Sequence, residues 1–290
     1  MSTMVSLSDI RGLWRRRLIA WPTGEVDTTT EVYWLQGPEL YVDLRIPGRR
    51  PQCKATCLRE LDRKALGFLA RQEGFFGKLD VQDSIGHWQR AFDYQPDTGR
   101  KDRGHLAFEG DVLVERGVEA PYIEHWVHEP NTDECMAVSL KADAPPRRGC
   151  VVLAGDAFMY ARSRNAELPP GADLTTCLKA ASSLEQQHNI FDCEISFGRV
   201  QDHQWRIERS SLPFREGQSL RPDIEAGTGS LLLDDMTTEG SSIRRSWQIA
   251  SYEGTSAKPL RQWLVPEAAA GSAGLGKSES DHFPKLGAAR

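Results

Sequence analysis

Tyr122 to Pro130 reads YIEHWVHEP. The stretch is aromatic and β-branched enough to be a strand, yet it carries two histidines and two glutamates. A period of two places Tyr122, Glu124, Trp126 and His128 on one face and Ile123, His125, Val127 and Glu129 on the other. Neither face is wholly apolar or wholly polar. Two arrangements produce such a pattern. In one, the first face lines a ligand cavity, mainly aromatic with a few placed polar groups. In the other, Trp126 is packed and the strand end is exposed, so that His128, Glu129 and Pro130 only lead into a turn at Pro130-Asn131.

Working outward, strand patterns dominate. Leu13 to Trp21, Glu31 to Gln36, Leu40 to Ile46, Gly86 to Tyr94, His105 to Glu109, Val112 to Glu115, Cys135 to Lys141, Glu194 to Val200, Gln204 to Arg209 and Ile243 to Tyr252 are short, β-branched or aromatic, and bounded by turn signals such as Gly37-Pro38 and Gly110-Asp111. Cys150 to Arg162 reads as one long apolar strand. Helical spacing occurs twice. Leu58, Leu61, Leu66 and Leu69 mark a helix over Leu58 to Glu73, stopped by Gly74, and a second spans Ala172 to His188 with Asp173 as its N-cap. Strands that follow one another without helices between them, except at those two places, argue against a parallel βαβ sheet and leave an antiparallel barrel or sandwich. The expected fold is mainly β: an antiparallel barrel of about ten strands or more, which hides its edges by closing on itself, with two helical insertions.

With 290 residues, 39% of them hydrophobic, the chain can bury a sizeable core. A net charge of −5 and a pI near 5.9 argue against nucleic acid as a partner. The runs Arg15-Arg16-Arg17 and Arg49-Arg50 are too short to change that. No apolar window reaches the ~20 residues of a membrane span, and the N-terminus lacks the pattern of a secretory signal, so a cytoplasmic location is expected. The six scattered cysteines include no Cys-x-x-Cys and read as reduced thiols.

The order of segments resembles the fungal casein-kinase-interacting barrel proteins, which carry two lipocalin-like units in tandem. The likeness lies in LYVDLRIP (40–47), HWQRAF (87–92), YIEHWVHEP, VVLAGDAFMYARS (151–163) and ISFGRVQDHQWRIE (195–208), with Gly12-Leu13-Trp14 supplying the residue types of the lipocalin G-x-W element. It implies one barrel unit over 1–118 and a second over 119–265, able to close together as one barrel. The shift to Ala, Gly and Ser after Trp263 reads as a disordered tail over 266–290. It also permits a protein-interaction role, and it supplies no catalytic residues.

Other strands add polar groups. In LYVDLRIP, Leu40, Val42, Leu44 and Ile46 share one face, and Tyr41, Asp43 and Arg45 the other. Charged residues are mostly exposed, so solvent is the ordinary place for Asp43 and Arg45. Turned inward, Arg45 would anchor an anionic group through its planar fork. If the barrel holds a ligand, burial brings Glu124 and His128 towards neutrality, the condition for acid–base work. Glu124, His128, Tyr122 and Tyr160 are then the candidate catalytic groups; Trp126, Arg45, Tyr41, Asp43, Trp34, His87 and Asp156 are candidates for substrate contact. The expected function is binding of an aromatic or hydrophobic small metabolite, with cofactor-independent lyase or isomerase chemistry as its enzymatic form. A non-catalytic carrier and an interaction barrel are the alternatives, and a homodimer is left open. Nucleotide, α/β-hydrolase and zinc-protease motifs are missing from the sequence, and His125 and His128 point to opposite faces of a strand. No metal or cofactor is therefore expected, except in a minor reading where one histidine holds haem.

Overall fold

The computed structural model describes residues 4–264. The tail expected over 266–290 lies outside the described residues. In the first half, alternating segments form β1 (Gly12–Ala20), β2 (Val26–Asp27), β3 (Glu31–Gln36), β4 (Leu40–Ile46), β5 (Glu73–Gln82), β6 (Ile85–Asp93), β7 (Arg103–Glu109), β8 (Val112–Gly117) and β9 (Ile123–His128). Each main strand pairs antiparallel with the next, and β9 returns to pair with β1, Trp14 opposite His128 and Ile19 opposite Glu124. Eight strands thus close into a barrel, with β2 as a short annex on β1. Closure removes the unpaired edges that an open sheet of this length would expose.

The second half forms β10 (Cys135–Asp143), β11 (Pro146–Ala154), β12 (Ala157–Arg162), β13 (Glu194–Gln201), β14 (Gln204–Ser210), β15 (Asp223–Ile224), β16 (Leu231–Met236) and β17 (Ser242–Gly254). They make a curled half-barrel in the order β14-β13-β12-β11-β10-β17-β16-β15. The chain before β15 spans part of the open side: Leu220 N–H donates to Trp205 O at 2.9 Å, and Leu220 O accepts from Asp234 N–H at 2.8 Å. The change of sheet falls between His128 and Cys135, not at 118, because β9 closes the first barrel. The architecture fits the mainly antiparallel, lipocalin-like expectation.

Three apolar cores follow from the alternation. Trp14, Trp34, Tyr41, Phe75, Trp88, Leu113 and Trp126 fill much of the first barrel. Val138, Leu153, Phe158, Trp205, Leu233 and Trp247 fill the concave side of the second sheet, where Trp263 of α4 (Leu260–Leu264) also packs. Between the sheets, Leu35, Val42 and Leu44 of the barrel wall meet Ala137, Val152, Met159, Ile195 and Phe197. That third core explains why β4 is buried almost throughout: its apolar face meets the second sheet and its polar face meets the barrel interior.

Two local expectations are corrected. Cys150 to Arg162 is a hairpin, β11 and β12, reversing at Gly155-Asp156, where Gly155 has φ of 58°. The helical segments are shorter and more numerous than two. Leu58–Glu60 is one 3-10 turn, α1 covers only Arg63–Leu69, and Glu73 already begins β5. The second segment divides into α2 (Leu174–Ala180) and α3 (Leu184–Ile190), because Ser183 starts a new helix by accepting the Gln186 N–H. Asp173 caps α2 as expected. Among the described residues no helix is long and apolar enough to cross a membrane.

Candidate functional site

Inside the first barrel lies a cavity of about 150 Å³, lined by Ile19, Trp34, Asp43, Arg45, Phe75, Trp88, Arg90, Asp102, Glu115, Tyr122, Glu124 and Trp126. Its walls are aromatic. Trp34 meets Trp126 edge-on at 5.3 Å and Trp88 at 5.8 Å between ring centres, and the Arg90 guanidinium lies 3.7 Å from the centre of Phe75. A cavity of about this size is known to accept benzene, so one flat ring is the scale of guest it fits.

A chain of buried charges crosses its floor. Arg16 donates to Glu124 Oε1 at 2.6 Å, and Arg45 approaches the same oxygen at 3.4 Å. Arg45 also holds Asp43 with two bonds, Nε to Oδ1 at 2.9 Å and Nη2 to Oδ2 at 3.3 Å. Burial pushes the Asp43 carboxyl up to about 6, with Arg45 opposing the rise. Burial works against the Arg45 charge, but Asp43 and Glu124 outweigh it and hold the guanidinium protonated.

Glu115 stands opposite Glu124 on the neighbouring strand and has quite different partners. Its Oε1 accepts the Tyr122 hydroxyl at 2.7 Å and its Oε2 accepts the Trp126 indole N–H at 3.2 Å, both neutral donors. Burial first, and then the Glu124 charge, push its carboxyl well above the usual range. Burial and the adjacent Glu115 likewise raise the Tyr122 phenol. Of the two carboxyl groups in the cavity, Glu115 is thus the one driven to hold its proton, as a general acid must.

Two glycines make room for this pair. Gly104 and Gly117 face each other across β7 and β8. A Cβ on Gly104 would lie 2.6 Å from Glu115 Cγ, and one on Gly117 would lie 2.4 Å from the Tyr122 ring. Any larger residue there would push the carboxyl or the phenol out of place.

Asp43 and Arg45 face this cavity and not solvent, the ordinary place expected for them, and Tyr122, Glu124, Trp126 and Trp34 line it with them. Tyr41 also points into the barrel but sits behind Phe75, with ring centres 6.0 Å apart. Four expected site residues lie elsewhere. His128 is at the other end of β9, 4.8 Å from the Trp14 ring, with Nε2 shared between Arg11 O and Thr132 Oγ1. Tyr160 belongs to the core of the second sheet. Asp156 is exposed at the β11–β12 turn and paired with Arg199. His87 alternates with Trp88 and therefore faces a cleft outside the barrel. The cavity lining contains no histidine, so the haem reading has no axial ligand there. Among the described residues no cluster of His, Cys, Asp and Glu is set to hold a metal ion.

Arg16, Arg90 and Glu115 were not expected in the site. Arg16 shares the parity of Trp14, which packs inside the barrel, and the bulge between Arg16 and Leu18 then brings Ile19 inward in place of Leu18. Glu115 shares the parity of Leu113, and that was the available signal.

No protein-family model matches the chain, and no curated protein matches it. The crystal structure of the uncharacterized protein YLR301w from Saccharomyces cerevisiae is similar, with a TM-score of 0.50 at 13% identity, covering 83% of this chain and 98% of that one. At that identity the likeness concerns the fold alone.

Proposed function

We propose that the first barrel binds a small metabolite with one flat ring and a polar oxygen, and moves a proton on it without a cofactor, as a lyase or isomerase does. The observation that carries this reading is the split carboxyl pair inside an aromatic cavity: Glu115 on neutral donors only, Glu124 on two arginines. In this scheme Glu115 donates a proton to the ligand oxygen with Tyr122 beside it. Asp43, raised to about 6 by burial, takes a proton near neutral pH. Glu124 acts as a positioning residue that fixes Arg16 and Arg45. Trp34 and Trp126 bound the ring, a use of aromatic side chains that adds to simple area burial.

Titration calorimetry with phenol tests the binding step. One molecule is expected per chain, and Ile19→Trp, which fills the cavity, is expected to abolish the signal while the fold persists. Unchanged phenol binding in that variant would place the site elsewhere. The chemical step is read from the natural compound recovered with the protein and incubated in D2O. Wild-type protein is expected to introduce deuterium at least ~100-fold faster than Glu115→Gln. Equal rates would assign the barrel to a carrier, a reading favoured by one feature: Asp43, Arg45, Glu124 and Arg16 compensate one another within the protein.

A further inference from the structure

The cavity has a neighbour. A cleft of about 410 Å³ on the outside of the barrel is lined by His87, Arg90, Asp93, Arg100, Lys101 and Asp102, among others. Trp88, Arg90 and Asp102 line both spaces. The wall is thin there for a topological reason. β6 and β7 pair over only three positions, Ile85 with His105, Gly86 with Gly104 and His87 with Arg103. One more bond follows, from Trp88 N–H to Asp102 O at 3.0 Å, and then the strands part. β6 continues to Asp93 along β5 alone, while residues 94–102 leave the sheet.

We infer that cavity and cleft are the two halves of one site, which takes an elongated ligand: a flat ring inside the barrel and an acidic tail passing between β6 and β7 into the cleft. The inference rests on the inner binding site proposed above. At the parting of the strands, Arg90 bridges Asp93 and Asp102, the latter at 2.6 Å. A ligand carboxylate can replace Asp102 on that fork without leaving a buried charge alone, since Asp93 stays in place. Beyond the gap, Arg100 and Lys101 are exposed and have no acidic group within ion-pair distance among the described residues. With Arg90 they give the cleft three cationic groups; of its three aspartates, Asp93 and Asp102 are held by Arg90 and Asp97 accepts the Gly99 N–H.

Calorimetry with three probes sharing one head separates the halves: phenol, hydroxyphenylpropionate and hydroxyphenylpropanol. In wild-type protein the acid is expected to bind at least ~10-fold more tightly than phenol, and the alcohol about as tightly as phenol. The double variant Arg100→Glu, Lys101→Glu changes only exposed loop residues; it is expected to keep phenol affinity and reduce the advantage of the acid. An acid no better than the alcohol, or an advantage undiminished in the double variant, would overturn the inference while leaving the inner site intact. Failure of phenol itself to bind would remove both.

Discussion

Glu115 and Glu124 face each other across β8 and β9, and replacing each by glutamine is expected to have opposite consequences. Glutamine at 115 mimics the neutral acid and keeps an acceptor for Tyr122 or Trp126, so Glu115→Gln should change stability by no more than about 1 kcal/mol near pH 4, where the wild-type carboxyl is protonated folded or unfolded. Glutamine at 124 leaves Arg16 and Arg45 short of a buried counter-charge, so Glu124→Gln should cost about 3–5 kcal/mol. The pH dependence has a definite sign. In the unfolded chain a glutamate titrates near ~4.3, and in the fold Glu115 keeps its proton to higher pH. The folded state thus binds the extra proton between those values. Its contribution is fully present below about pH 4 and is lost as pH rises through the raised Glu115 range. Asp43 acts in the same direction up to about 6. Urea unfolding at several pH values should show wild-type stability falling from pH 5 to pH 8 more steeply than that of Glu115→Gln; parallel curves would mean that Glu115 is ionised in the fold.

At the scale of elements, the turn between β8 and β9 sets the site. A Cβ on Gly117 would also lie 2.1 Å from Ala120 O, so Gly117→Ala must move the turn and with it Tyr122. A loss of about 1–3 kcal/mol and weaker phenol binding are expected by thermal unfolding and calorimetry. Ser183→Ala removes the cap of α3 and should cost about 1 kcal/mol without touching phenol affinity. These elements also show what was legible beforehand. Alternation in LYVDLRI and YIEHWVH grouped side chains by face, because a strand has one period, but it could not say that the polar face of LYVDLRI meets the barrel interior rather than solvent. It fell short wherever geometry interrupts the period: at the β1 bulge that brings Ile19 inward in place of Leu18, at Gly155-Asp156 where one strand became two, and at Ser183 where one helix became two. His128 has the right parity and the wrong height. Position along the barrel axis depends on strand tilt, which no local pattern carries.

At the scale of the whole molecule, the two sheets share a core, and this decides which way β4 faces. An ordinary barrel presents apolar residues inward and polar ones to water. Here the second sheet covers the apolar outer face of β3 and β4, which frees their inner face for Asp43 and Arg45. Further ties cross the junction: Tyr33 stacks on Phe197 at 4.4 Å, and Glu253 accepts the backbone N–H groups of Glu39 and Leu40 at 2.8 and 2.6 Å. Barrel and half-barrel should therefore unfold together, as one calorimetric transition whose midpoint falls in Phe197→Ala; two separable transitions would refute that coupling. The claim on which the functional reading depends is that the barrel cavity holds a guest. Native mass spectrometry of the protein isolated from its own cells under non-denaturing conditions tests it most directly. The expected result is a chain carrying one small ring-containing compound, released on denaturation and missing from Ile19→Trp. A bare chain mass in both proteins, with no uptake of added phenol, would contradict it.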